Sequence, residues 1–232
     1  MLNFLSGGHM AVTRRDFMLG SAASFIGGLA VLQSATLKKA FAATEASPKT
    51  ASGVIVCPSS QSRRTTMGTL GLPSESDLVV YDLDRDEQYS IIVPVGLGHS
   101  VAINPQQTSR GIVVEIFGDY AAEFDVKSRS ALRQLRAKKG RVFSGHALYS
   151  QDGKFLYTPE YVPRHPDQCA LVKRDLASGE IVQEVNTHGV RPHAAHWAKD
   201  GVIAFSHYGD YANTKPHDLK AAVSFIDAHS VE

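Results

Sequence analysis

The chain has 232 residues, enough for one domain and a targeting segment, and 24 Lys and Arg stand against 23 Asp and Glu for a net charge of +1. That balance excludes the basic stripe of a nucleic-acid surface, and the aromatic residues are not arranged as a platform for stacking bases. With only Cys57 and Cys169, a cysteine-rich metal, haem-attachment or iron–sulfur motif is excluded too.

The N-terminus reads as an export signal. Thr13-Arg14-Arg15-Asp16-Phe17-Met18-Leu19 opens an apolar run over 17–32, followed by Lys38, Lys39 and Ala40-Phe41-Ala42-Ala43. A basic start, an apolar middle and a small-residue end make a removable signal rather than a membrane span. Arg14 and Arg15 before an aromatic and two apolar residues look like the twin-arginine signal, whose route carries folded proteins. The expectation is a signal over 1–43, cleaved after Ala42 or Ala43, with Met10 as an alternative start to Met1, and a periplasmic domain over 44–232. Gly20, Gly27 and Gly28 make the run too mildly apolar for a retained anchor, and no later run is long enough to span a bilayer. Loss of Arg14, Arg15, Lys38, Lys39 and Asp16 leaves the exported chain close to neutral. Cys57 and Cys169 fall at different places in different repeats, so they are read as free thiols although the compartment permits a disulfide.

Beyond the signal the chain is predicted to be a series of short strands. A strand over 53–56 precedes a polar insertion over 59–76, read as an exposed loop, and strands follow at 78–83 and 89–93. The next unit has strands at 100–103, 112–117, 121–126 and 132–136. A third has them at 146–149, 155–157, 170–176 and 181–185, with Asp152-Gly153 as a turn. The last has 194–197, 202–205 and 223–227. Gly118-Asp119-Tyr120 and Gly209-Asp210-Tyr211 break equivalent strands.

His99, His146 and His193 recur at intervals of 47 residues, as Gly98-His99, Gly145-His146 and Pro192-His193. A period in this range marks a stacked or radial repeat. Four-stranded units of this length are the signature of an all-β fold, the β-propeller. About three and a half blades are present, the first without its inner strand and the last without its outer one. The expected architecture is therefore a partial ring, a truncated form of a larger propeller.

The twin-arginine start, the Gly-His openings, Ser144-Gly145-His146-Ala-Leu-Tyr-Ser-Gln-Asp-Gly153 and Gly189-Val-Arg-Pro192-His193 carry a resemblance. From about Gly53 onward the sequence resembles an exported seven-bladed propeller family of unknown function, related to YVTN-repeat and quinoprotein amine-dehydrogenase-like propellers. The resemblance implies no activity. It implies a periplasmic setting and, by association, a protein partner linked to iron uptake.

Two readings of the histidines are open at this stage. Equivalent positions on three blades bring three imidazoles to one axial face, where they would hold a metal (copper, iron or zinc) or another ligand, with His188 as a neighbour. Alternatively each Gly-His pair with its downstream aspartate, Asp125, Asp175 or Asp227, ties the blade turns together. Glu115 and Glu160, near the ends of second strands, are candidates for acid–base chemistry as a pair, and Asp82, Asp125, Asp175 and Asp227 are expected to fix turns. The functional expectation is an exported binding module for a ligand or protein. The alternative is a metal- or quinone-dependent oxidoreductase with a His-lined axial site.

Overall fold

The computed structural model describes residues 52–62, 75–198, 201–209 and 221–228, of which the side chains of 60–62 are not considered. All lie in the second of two units of the chain, Lys49–Glu232. The expected signal with Arg14, Arg15, Ala42 and Ala43, and the turns at Lys199-Asp200 and Asp210-Tyr211, lie outside the described residues.

Among the described residues, fifteen strands form four antiparallel sheets, each built from neighbours in sequence. The first sheet holds β1 (Val54–Ser62), β2 (Ser76–Asp82) and β3 (Glu87–Val93). The second runs β4 (Gly98–Ile103), β5 (Arg110–Glu115), β6 (Tyr120–Asp125) and β7 (Ser130–Arg136). In the third, β8 (Val142–Phe143) and β9 (Leu148–Tyr149) both pair with β10 (Phe155–Val162), followed by β11 (His165–Asp175) and β12 (Ile181–Asn186). The fourth holds β13 (Pro192–Trp197), β14 (Val202–His207) and β15 (Ala222–Asp227). No α-helix occurs among the described residues, and none there is long and apolar enough to cross a membrane.

The sheets stack face to face, which accounts for the sequence pattern of their central strands. In β5, Val113 packs with Leu78, Val80, Ile91 and Val93 of the first sheet, while Ile112 and Val114 pack with Phe143, Tyr149 and Leu156 of the third. In β10, Leu156 faces the second sheet and Tyr157 joins Ile203, Phe205 and Ile226 of the fourth. A strand with both faces covered has no reason to alternate apolar with polar residues. Layered sheets of this kind are the blades of a propeller, here a partial one.

Side chains tie each blade to the next. Tyr89 donates to the Val126 carbonyl (3.0 Å), Asn104 Nδ2 to the Gly153 carbonyl (3.2 Å) and Trp197 Nε1 to the Tyr149 carbonyl (2.8 Å).

Three expectations need correction. The 59–76 insertion is shorter than predicted, because β1 continues to Ser62 and pairs it with Ser76 across a register shift; residues 63–74 are outside the description. Small polar residues there read as a turn, yet ladder hydrogen bonds need only backbone. The inner strand of the third sheet is split into β8 and β9 around His146 rather than running unbroken over 146–149. Third, β4 and β13 begin before the predicted 100–103 and 194–197, at Gly98 and Pro192, so that His99 and His193 lie within them.

Candidate metal centre

Each of the three histidines sits where its inner strand breaks register. Gly98 faces Glu115 but Ser100 faces Val114, so His99 is the extra residue of a β-bulge. Pro192 faces His207 but Ala195 faces Phe205, which leaves His193 and Ala194 opposite Ser206 alone. His146 occupies the gap between β8, paired at Phe143↔Glu160, and β9, paired at Leu148↔Tyr157. A bulge turns a side chain out of the alternation of its strand. Two bulges and a strand break at equivalent points turn three imidazoles toward one another.

The ligand atoms of His99, His146 and His193 all lie within 4.8 Å of each other. Ring centroids are 5.1 Å apart for His99–His146, 5.5 Å for His99–His193 and 4.7 Å for His146–His193. Backbone ties hold the arrangement from behind: Ser100 Oγ donates to the Gly145 carbonyl (2.5 Å) and Ser144 Oγ to the His193 carbonyl (3.0 Å). On its outer side His193 is stacked against Tyr208, with centroids 4.2 Å apart and planes 30° apart.

Electrostatics keep the cluster uncharged. Burial, then the positive charge the other histidines would carry, pushes His146 down to about 3. His99, the exposed member of the three, is lowered by partial desolvation, and burial with the neighbouring His99 lowers His193. Neutral imidazole is the form that binds a metal. Nε2 of His146 and Nδ1 of His193 are buried without a hydrogen-bond partner. Buried polar atoms are rarely left so, and a cation among the three rings would satisfy both.

Of the three aspartates in the turn-tying alternative, Asp125 and Asp175 accept from backbone groups of their own turns, as does Asp82 at the first sheet. Asp125 accepts from the Lys127 N–H (2.8 Å), Asp175 from the Ser178 N–H (2.8 Å) and Asp82 from those of Asp84 and Arg85 (3.0 and 3.1 Å). They fix their own turns, as expected, while the histidines face one another.

Other predicted site residues are not gathered here. His188 is exposed, in a turn with a φ of +57°, and is not one of the three converging ligands. Glu115 and Glu160 belong to different sheets with separate partners. Glu115 is buried, accepts from the Gly96 and Tyr120 N–H groups, and is held above the usual carboxylate range by burial. Glu160 accepts from Arg174, the Lys138 N–H (2.9 Å) and Thr158 (3.1 Å). Cys57 and Cys169 are free, as expected; burial raises the Cys169 thiol, which lies 2.8 Å from Thr187 Oγ1 and donates to the Gly189 carbonyl (3.0 Å).

Sequence reasoning missed two residues. Tyr208 carries no motif and reaches His193 only through the β13–β14 pairing. His207, buried beneath Gly189, bonds Ser224 through Nε2 (2.8 Å).

Residues 94–216, more than half the chain, match the family described as "Protein of unknown function (DUF1513)". No curated protein matches the sequence. Among solved structures the fold is similar to Kuenenia stuttgartiensis hydrazine synthase, a β-propeller-type protein, with a TM-score of 0.54 and 16% identity over 68% of this chain. The similarity covers 44% of that protein's chain, so this sequence spans less than half its length, and at this identity the likeness concerns the fold alone.

Proposed function

The chain belongs to the DUF1513 family, and we propose that it is an exported, metal-binding β-propeller in which His99, His146 and His193 hold one transition-metal ion at the axial face. The observation that carries this reading is the convergence of three neutral imidazole ligands within 4.8 Å, two of them with buried, unpartnered nitrogens. The donor set narrows the metal. It contains neither carboxylate nor thiolate among the described residues, which favours zinc or copper over iron, whose common non-haem site adds a carboxylate to two histidines. Three protein ligands leave a fourth position for water or a bound ligand.

Binding through that open position is the leading role, for a small ligand or for a group presented by a protein partner. The same open position favours the second reading, a metal-dependent oxidoreductase on the same ligands; the quinone form of that reading has no residues attached to it. Export rests on Arg14-Arg15 and the apolar run that follows them, and a partner linked to iron uptake rests on the family resemblance.

Native mass spectrometry of protein recovered from the periplasm tests both parts. The expected species begins just after Ala42 or Ala43 and carries one zinc or copper ion, which His146→Ala loses. A metal-free wild-type protein that takes up neither ion on addition would overturn the metal reading, and retention of residues 1–43 the export reading.

A further inference from the structure

We propose that Tyr208 is a positioning residue for His193, fixing the ring so that it closes the three-histidine ligand set; the inference rests on the metal reading above. His193 needs such a constraint more than an ordinary strand residue does. It lies in the bulge between Pro192 and Ala195, where the ladder with β14 is interrupted and does not dictate the direction of its side chain. The Ser144 hydroxyl holds its carbonyl, which fixes backbone and not ring.

Tyr208 supplies the missing constraint. It directly follows β14, and its N–H donates to the Arg191 carbonyl (3.0 Å) while the Gly209 N–H donates to the Val190 carbonyl (3.1 Å). These bonds clamp the tyrosine to the segment that leads into His193. Its ring then covers one face of the imidazole, at 4.2 Å and 30°. From other directions the imidazole meets His146, nearly perpendicular at 88°, and His99 at 52°. Rotation of the His193 ring away from the ligand position would break the stack.

The three ligands are thus held by different means. His99 rests against Gly145, His193 against Tyr208, and His146 sits edge-on to both other imidazoles. Groups that orient a metal-bound histidine commonly change affinity ten- to a hundredfold when removed. A stacking contact is worth less than a hydrogen bond to the ring, so the lower end applies.

The test is titration of the metal-free protein with Co(II) and Cu(II). Wild type and Y208F are expected to bind with similar affinity and the same Co(II) visible spectrum, because phenylalanine keeps the stack. Y208L is expected to bind about tenfold more weakly, with an altered Co(II) spectrum while its circular dichroism stays that of the wild type. Unchanged affinity and spectrum in folded Y208L would overturn the inference and leave the metal site standing, whereas a wild type that binds neither ion would remove the site itself. Should Y208L not fold, the wild type and Y208F decide. One equivalent of metal should produce a tyrosine difference absorption that Y208F lacks, and a band persisting in Y208F would overturn the assignment.

Discussion

Gly145 has a φ of +102°, and a Cβ built on it would lie 2.6 Å from Cδ2 of His99. The glycine before the second histidine is therefore the surface on which the first one rests. Gly145→Ala should destabilise the protein by about 1–3 kcal/mol through backbone strain and, by displacing His99, weaken metal binding. Gly140→Ala is the control: its φ is +84°, but nothing lies within 4 Å of the added carbon, so it should cost stability in urea melts without touching metal affinity. At this scale the sequence was partly legible. The 47-residue interval picked out the three histidines that converge, because equivalent repeat positions become equivalent positions in space. It misplaced His188, whose proximity in sequence is undone by a left-handed turn. It was silent on Tyr208, because the stack depends on how β13 and β14 pair.

Among the elements, the β10–β11 hairpin encloses a buried ion pair, Arg174 with Glu160. Glu160 is completely buried and the Arg174 side chain is 4% exposed. Arg174 also lies over the Phe143 ring. Removing one partner leaves a charge with no route to water, so Arg174→Met should cost about 3–5 kcal/mol in denaturant unfolding. The double variant Glu160→Gln/Arg174→Met should recover much of that loss; additive single and double effects would show that the two groups do not act as a pair. Glu160 is thus fully engaged by partners within its own sheet and the loop before it, which its repeat position alone did not indicate. Most strands were readable from turn signals and apolar runs. β8 was not, since two residues after the Lys138-Lys139-Gly140-Arg141 run show no period, and the bulges were not, since an extra residue has no signature in composition.

At the scale of the whole molecule, the described residues form a partial ring of four sheets, and among them the first and last sheets each have one face against no other sheet. Ile55 and Ile92 at one end, and Val223 (63% exposed) and Phe225 (66%) at the other, lie in the open. Counting repeats predicted a partial propeller, and among the described residues the first and last sheets have three strands each. The cluster should also mark global stability of the metal-free protein. His99, His146, His193 and His207 are all held below the ordinary histidine value by burial. As pH falls below about 6.5 the unfolded chain protonates these groups while the folded chain does not, so stability declines. Glu115, raised by burial, acts in the opposite sense, and lowered carboxyls such as Asp125 and Asp175 act only at more acid pH. Tm should therefore fall from pH 7 to pH 5, less steeply in His146→Gln; equal slopes would contradict this assignment. X-ray absorption at the metal edge of the zinc- or copper-loaded protein tests the central claim most directly. Three nitrogen neighbours at about 2.0–2.1 Å with imidazole outer-shell scattering are predicted, and a shell of oxygen neighbours without that scattering would contradict the three-histidine centre.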